Sequence, residues 1–147
     1  MKRRLAGLFI LIAATVSLTA CAGTGSGGSR IARNDPRGGT DARGVLACIA
    51  RAPLRERGRE NPFRNDGTAL AAGARLFDEH CAECHGARGT GTRRAPTLRT
   101  AVIQNATPGE LAWFLRNGNL RAGMPSWSGL PEARRWQLVS YVKSLGD

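Results

Sequence analysis

The stretch Cys81-Ala82-Glu83-Cys84-His85 decides how the rest of this chain is interpreted. Its two thiols are separated by two residues, and an imidazole follows the second thiol directly. One helical turn can present both sulfurs along one porphyrin edge, while the adjacent histidine points at the metal. The motif therefore predicts covalent attachment of a c-type haem through Cys81 and Cys84, with His85 as an iron ligand.

Two other interpretations of the same motif stay open at this point. A Cys-x-x-Cys pair also occurs in zinc sites and in redox-active dithiols. A closed zinc site needs four ligands, and outside the motif the chain offers His80, Cys48 and carboxylates. A thioredoxin-like dithiol needs a surrounding βαβ pattern, which the sequence does not show. Haem attachment is the favoured interpretation.

The charge balance of the chain is strongly basic. Its 147 residues include 22 basic and 11 acidic side chains, which give a formal net charge of +11. Twenty of the basic residues are arginine, and no basic run is interleaved with aromatic side chains. We therefore expect no nucleic-acid partner. The length allows one modest domain preceded by a tail.

The N-terminal region has the layout of an export signal. Basic residues precede an apolar run that is short for a membrane span. The run ends in Leu18-Thr19-Ala20-Cys21, which resembles a bacterial lipobox, so we expect residues 1–20 to be a signal peptide and Cys21 to be lipidated. An ordinary signal peptide and an uncleaved anchor are the alternatives. The expected location is a bacterial membrane, with the chain facing the periplasm or the extracytoplasmic side.

The segment between this signal and the motif divides in two. Residues 21–42 are rich in glycine, serine, threonine and arginine, which predicts a flexible tether. Residues 43–66 are interpreted as an N-terminal extension or connector. Within it, Gly44 to Leu54 predicts one or two helical turns, and Arg55 to Asp66 is expected to be exposed. Cys48 is interpreted as a small buried hydrophobe, with an intermolecular disulfide and a reactive thiol as the alternatives.

Helical periodicity frames the motif on both sides. Apolar and small residues recur at helical spacing before Cys81, at Ala69, Leu70, Gly73, Leu76 and Phe77. A glycine inside a helix costs about 1 kcal/mol relative to alanine, so Gly73 indicates a close crossing with another helix. The partner is the last predicted helix, which begins at Pro131, can end at Gly146, and has an apolar face formed by Trp136, Leu138, Val139, Tyr141, Val142 and Leu145.

A further helix is predicted between these two. Thr107-Pro108-Gly109-Glu110 has the form of a capping box with proline at the first helical position. The helix is expected to stop at Gly118. Its apolar side chains are interpreted as a wall of the cofactor pocket and not as a substrate site; they are Leu111, Trp113, Phe114 and Leu115.

Taken together, residues Gly67 to Leu145 resemble a class I, mono-haem cytochrome c domain. In that family a glycine and an aromatic residue of the first helix cross the last helix, and Gly73 and Phe77 stand at the matching spacing before Cys81. The resemblance implies an all-α cytochrome c fold, with three to four short helices wrapped around one covalently bound haem c. It assigns residues 67–147 to the cytochrome c domain and leaves the preceding 66 residues outside.

The resemblance also implies roles for residues outside the motif. The family's sixth iron ligand is a methionine in a loop before the last helix, a place that Met124 occupies here. In the family a proline carbonyl accepts a hydrogen bond from the proximal histidine, which implies that role for Pro96, and Leu98 would cover the haem face. Trp127 is expected to pack on the cofactor or to bind a propionate. His80, beside Cys81, is interpreted as a surface residue.

These features predict an electron-transfer protein and not an enzyme. With His85 and Met124 both bound, iron has no open position for a small-molecule substrate, so we expect a one-electron carrier that shuttles between membrane-associated redox partners. The alternatives are a haem c subunit of a larger dehydrogenase or oxidase, and a gas sensor or peroxidase if Met124 is labile. Loop arginines are interpreted either as a surface that steers acidic redox partners or as a solvated basic surface without a dedicated partner; they are Arg88, Arg93, Arg94, Arg99 and Arg121.

Overall fold

A computed structural model describes residues 42–146; the predicted signal peptide, Cys21 and the predicted tether up to residue 41 lie outside the described residues. In the described range every regular element is helical, so the all-α prediction is confirmed, although the helices outnumber the three to four expected. They are α1 (Ala42–Ile49), α2 (Leu54–Arg57), α3 (Gly67–His80), α4 (Ala82–His85), α5 (Ala101–Asn105), α6 (Pro108–Asn117) and α7 (Glu132–Ser144), with short 3₁₀ turns at Ala87–Gly89 and Leu120–Ala122.

The crossing of α3 and α7 is the central packing contact of the fold. A β-carbon built on Gly73 would lie 2.0 Å from the carbonyl oxygen of Gln137, so no larger residue fits this position. One turn along, the rings of Phe77 and Tyr141 have centroids 5.2 Å apart. Leu138 is 1% exposed and packs in the same cluster as Phe77. The predicted glycine-mediated crossing is therefore present.

Local capping explains where α3 and α6 begin. The Asp66 carboxylate accepts hydrogen bonds from the backbone N–H groups of Thr68 and Ala69, which satisfies donors that the first turn of α3 leaves free. At α6 the predicted capping box is present: the Thr107 hydroxyl accepts from the Glu110 N–H, and the Glu110 carboxylate accepts from the Thr107 N–H. The helix stops at Gly118, as predicted.

The N-terminal extension contributes to the main hydrophobic core. Ile49 of α1 is 2% exposed and belongs to the cluster that contains Leu111, Trp136 and Val139. Cys48 is buried beside it, as the sequence predicted. Helix α1 packs against α5 and α6. The extension is therefore part of the folded unit, even though it precedes the segment that resembles a cytochrome c.

The expectation that residues 55–66 form an exposed connector is wrong for Asn61. Its side chain is buried, and its amide donates hydrogen bonds to the carbonyl of Trp136 (3.2 Å) and to the hydroxyl of Ser140 (2.9 Å), both on α7. The Arg59 guanidinium lies 5.1 Å from the Trp136 ring centroid and pairs with Glu132. These polar contacts fix the connector to the back of α7.

Helix α5 was not predicted from the sequence. It is five residues long, buries Ile103, and has no side-chain cap at its start. At its end the Lys143 ammonium donates to the carbonyls of Gln104 and Ala106, which otherwise lack helical partners. Burial lowers the pKa of Lys143. Of the helices between residues 42 and 146, none has the length and apolar character needed to cross a bilayer.

Candidate functional site

The Cys-x-x-Cys-His motif lies at the junction of two helices. Helix α3 ends at His80, and Cys81 is both its C-terminal cap and the residue that precedes α4. Helix α4 is a single turn that carries Cys84 and His85. Cys81 is half-buried and packs against the cluster of Phe77 and neighbouring residues, whereas Cys84 is exposed. The crossing of α3 on α7 therefore fixes the position of the motif.

The Cys81 thiol lacks the lowered pKa of a redox-active cysteine. Burial, with a smaller contribution from Cys84, raises the pKa of the Cys81 thiol to about 11, so this sulfur is protonated at neutral pH. Reactive dithiols depend on a thiol with a lowered pKa. In addition, no three His, Cys, Asp or Glu side chains of the described residues converge as a metal site. The dithiol and closed-zinc interpretations thus find no support in residues 42–146.

His85 is oriented by a hydrogen bond through one ring nitrogen. Its Nδ1 lies 3.0 Å from the carbonyl oxygen of Pro96, the contact that the family resemblance implied. As the donor in this bond, Nδ1 carries the proton and Nε2 keeps its lone pair for a metal. Burial lowers the pKa of His85, and the Pro96 contact opposes that shift. The side chain is therefore neutral at physiological pH, as a metal ligand must be.

The residues after His85 fold back on the motif, and we call residues 81–98 the proximal segment. The Gly91 N–H donates to the His85 carbonyl (2.6 Å), and the Thr92 hydroxyl donates to the Cys84 carbonyl (2.5 Å). Leu98 is half-buried and packs against both hydrophobic clusters. These bonds bring the Pro96 carbonyl back to the imidazole eleven residues earlier.

The predicted second ligand lies in a separate loop, residues 119–130, which we call the distal loop. Met124 is half-buried, and its backbone pairs with Asn119 through hydrogen bonds of 2.9 and 3.0 Å. The loop is fastened to the end of α6 by the Trp127 N–H, which donates to the Leu115 carbonyl (3.0 Å), and by the Ser126 hydroxyl. The backbone of this loop therefore sets where Met124 lies.

Sequence reasoning missed a contact between the distal loop and the last residue of α3, which directly precedes the proximal segment. The Trp127 indole and the His80 imidazole have ring centroids 5.2 Å apart, with ring planes tilted by 40°. Trp127 was expected to pack on the cofactor or bind a propionate, and His80 to be a plain surface residue. Nothing in the local pattern around either residue indicates the pairing, because they lie 47 positions apart in the chain.

A cleft elsewhere on the fold is distinct from this site. It has a volume of about 660 Å³ and lies beside Asp66, Leu70 and Lys143. None of the predicted site residues lines it. The chemistry indicated by the sequence is therefore concentrated around the proximal segment and the distal loop.

Comparison with known proteins agrees with this geometry. Residues 68–142 match the family model of cytochrome c oxidase, cbb3-type, subunit III, which covers just over half of the chain. The chain belongs to this family. The match takes in the proximal segment and the distal loop, and it identifies the α3–α7 unit as a cytochrome c domain. The predicted family resemblance is confirmed.

Two curated relatives carry related names. The chain is 37% identical over 89 residues to the cbb3-type cytochrome c oxidase subunit CcoP of Cereibacter sphaeroides, covering 56% of this chain and 29% of the relative. It is 38% identical over 85 residues to the subunit FixP of a Bradyrhizobium species, covering 54% of this chain and 29% of that protein. The chain therefore matches less than a third of each relative. No solved structure matches the chain.

A cytochrome c domain implies haem c and electron transport, and the residues of the site fit that group. Cys81 and Cys84 provide two thiols three positions apart, and neither is in a disulfide. The Pro96 contact leaves the Nε2 of His85 available for iron. Met124 supplies a thioether, and imidazole with thioether is the axial ligand pair of cytochromes c.

Proposed function

We propose that this chain is an electron-transfer subunit of a membrane-bound oxidase complex and holds one haem c. The proposal rests on the family and on relatives that are themselves named as oxidase subunits. Cys81 and Cys84 would hold the haem through two thioether bonds, and His85 and Met124 would supply its iron ligands. Bound in this way, the haem supplies one-electron redox chemistry.

The hydrogen bond between His85 and Pro96 is the observation that carries the proposal. It is the arrangement found behind metal-binding histidines, where a second acceptor fixes the tautomer and raises the basicity of the ligand nitrogen. Leu98 and Trp127 would shield the cofactor from water. With His85 and Met124 both bound, the iron would have no free position for a substrate.

Spectroscopy of the purified protein tests the ligand set. We expect the chain, made in a host that attaches haem c, to keep its haem on a denaturing gel. The pyridine haemochrome spectrum should show one haem per chain, and the ferric protein should show the methionine-to-iron charge-transfer band. A colourless protein or a zinc-loaded one would refute the proposal. A haem protein without the band would favour the sensor or peroxidase alternative.

A second candidate function is a carrier that shuttles electrons between membrane-associated partners. The lipobox-like Leu18-Thr19-Ala20-Cys21 followed by a glycine-rich and serine-rich segment favours it, because lipid at Cys21 would hold a mobile domain near the membrane. Purification from detergent-solubilised membranes separates the two functions. A subunit should migrate with a large oxidase complex, whereas a shuttle should elute alone.

Lipidation and location are tested by the Cys21→Ser variant. With lipid on Cys21, the wild-type chain should stay in the membrane fraction and face the periplasm or the extracytoplasmic side. The variant should appear in the soluble extracytoplasmic fraction with its haem unchanged. Mass spectrometry of the mature N-terminus gives the direct measurement, and an unmodified cysteine there would refute lipidation.

The partner of this site is proposed to present an acidic surface. Arg93 and Arg121 are exposed, and neither forms an ion pair within residues 42–146. Two other members of the predicted arginine set are engaged: Arg94 pairs with Glu83 (2.6 Å), and Arg99 donates to the Arg88 carbonyl. Electron-transfer rates with acidic acceptors should fall as ionic strength rises. An Arg93→Glu, Arg121→Glu double variant should lose that salt dependence, whereas an unchanged dependence would refute this surface.

A further inference from the structure

Hydrogen bonds fasten the distal loop to two helices, α6 and α7, that do not carry the Cys-x-x-Cys-His motif. The Trp127 N–H and the Ser126 hydroxyl donate to carbonyls of Leu115 and Arg116, near the end of α6. The Arg135 guanidinium, near the start of α7, donates to carbonyls within the loop. None of these bonds reaches α3 or α4, so they leave open how the loop is aligned with the proximal segment.

The aromatic pair of His80 and Trp127 spans that gap. His80 is the last residue of α3 and directly precedes Cys81, whereas Trp127 follows Met124 by three residues. Their rings are 5.2 Å apart between centroids, within the range of favourable tilted aromatic packing. The His80 side chain is 33% exposed, and the Glu79 carboxylate lies 3.8 Å from its Nε2. The ring contact therefore sits at the rim of the site, where solvent reaches one edge.

The position of the contact explains what it can do. Met124 has a flexible thioether side chain that cannot be oriented by strong hydrogen bonds. Its reach toward iron therefore depends on where the loop backbone lies relative to His85. The contact between His80, directly before Cys81, and Trp127, three residues after Met124, fixes the position of the loop backbone relative to His85. Leu130, farther along the loop, packs on the cluster of Leu76 and Phe77 and supports the same alignment.

We propose that His80 and Trp127 form an aromatic clasp that holds the distal loop against the proximal segment and thereby keeps Met124 on the iron. The inference rests on the proposed ligation of haem by His85 and Met124 and goes beyond it by assigning a role to His80. Both clasp residues are positioning residues, because they act through the loop that carries the ligand. The clasp opposes opening of the methionine–iron bond.

Binding of free imidazole to the ferric holoprotein measures that opening, because the added ligand takes the site that Met124 vacates. The probe requires no redox partner and no turnover. In the His80→Ala variant we expect apparent imidazole affinity to rise about threefold to tenfold, the effect of losing one aromatic pair. In an acid titration, the charge-transfer band of this variant should also disappear at a higher pH than that of the wild type. Trp127→Leu should behave in the same way.

Three comparison variants separate the clasp from general loss of stability. His80→Phe restores an aromatic ring and should return imidazole affinity to that of the wild type. The His80→Ala, Trp127→Leu double variant should exceed the larger single effect only slightly, since both changes break one contact. Asp78→Ala, an exposed position two residues before His80 on α3, leaves both rings in place and should bind imidazole as the wild type does.

The outcomes distinguish failure of the clasp from failure of the proposed ligation. If the wild type shows the charge-transfer band but His80→Ala binds imidazole with unchanged affinity, the clasp is overturned and the ligation stands. A drop in thermal stability with unchanged imidazole affinity also overturns it. If the wild type itself lacks the band, the proposed Met124 ligation fails and takes the clasp with it. Trp127→Phe supplies a milder substitution should Trp127→Leu fail to accumulate.

Discussion

The proximal segment and the distal loop are fastened in different ways. On the proximal side, the side chain that would bind iron is itself held, because His85 Nδ1 bonds to the Pro96 carbonyl at 3.0 Å. On the distal side, Met124 is held through its backbone, which pairs with Asn119. The direction of the histidine is thus set by its own hydrogen bond, and that of the methionine by the course of its loop. Perturbing each side should therefore have different consequences.

The largest expected effect is on the proximal side. Replacing both Cys81 and Cys84 with alanine removes the sulfurs that would form the thioether bonds, so we expect complete loss of covalent haem. Haem staining after denaturing electrophoresis measures this directly. Cys48→Ala is the matched control, because it removes the buried cysteine outside the motif and should leave the stain at wild-type intensity. Covalent haem in the double variant would contradict the assignment.

The corresponding change on the distal side should leave the haem attached. In Met124→Ala the thioether is lost while Cys81, Cys84 and His85 are intact, so the stain should persist. We expect the charge-transfer band to vanish and the reduction potential to fall by on the order of 0.1 V, since axial ligands tune haem potentials over a wide range. Potentiometric titration gives the measurement. Retention of the band would show that it does not arise from Met124 and would contradict this ligand assignment.

A smaller effect is expected from the stem of the distal loop. Gly118 has φ +68°, and a β-carbon there would lie 2.5 Å from the Pro125 carbonyl oxygen, beside Met124. Gly118→Ala should therefore destabilise the protein by about 2–4 kcal/mol, combining backbone strain with a clash, and should also increase imidazole affinity. Thermal or denaturant unfolding of the holoprotein measures the stability.

Gly123, within the distal loop, provides a comparison, because its left-handed backbone conformation is milder than that of Gly118. Its φ is +81°, but no atom lies within 4 Å of a β-carbon built there. Gly123→Ala should therefore lower the stability only through backbone strain, by about 1–2 kcal/mol. Equal losses of stability at both positions would show that neither the backbone conformation of Gly118 nor its contact with Pro125 adds to the destabilisation.

The smallest expected effect is the loss of stability at acid pH through His85 on the proximal side. Burial lowers the pKa of His85 below its usual value near 6.5. The folded chain therefore favours the neutral imidazole more than the unfolded chain does. The contribution of His85 to folding stability is fully present above about pH 6.5. It is lost as the pH falls from there toward the lowered pKa, because the unfolded chain binds the proton first. Iron bound to Nε2 would push protonation lower still.

An acid titration of the holoprotein checks this direction. The absorption spectrum should stay constant down to about pH 6.5 and change only below it. Pro96→Gly, which frees the backbone that carries the accepting carbonyl, should move the spectral midpoint to higher pH, because an unrestrained imidazole is released more easily. A spectral change at or above pH 6.5 in the wild type would contradict a buried, hydrogen-bonded ligand.

The haem-binding motif and several features of the fold could be predicted from the sequence because their determinants are local. Five consecutive residues define the motif, and Thr107 with Glu110 defines the start of α6 by contacts three residues apart. The α3–α7 crossing was also predictable, because Gly73 is an unfavourable residue for a helix unless another backbone lies close to it. In each case the sequence pattern contains the physical reason for the structure.

The features that sequence reasoning missed depend on distant partners. Asn61 is a polar residue in an arginine-rich stretch, and its burial depends on acceptors 75 and 79 positions later in the chain. Helix α5 is too short to show a periodic pattern, and Lys143 supplies its terminal contacts from another helix. The His80–Trp127 pair is likewise invisible until the two segments are brought together. Their signals lie in tertiary structure and not in spacing.

The attachment of the extension to the back of the fold has a mechanical consequence. Helix α1 packs on α5 and α6, and Asn61 is bonded to α7, so the polypeptide enters the domain at a fixed place. A load applied to the chain ahead of Ala42 would be borne by these helices and would not be transmitted first to His80 and Cys81. An attachment at this end of the protein could therefore limit rotation of the domain. The resulting force would not act first on the residues that would bind the cofactor.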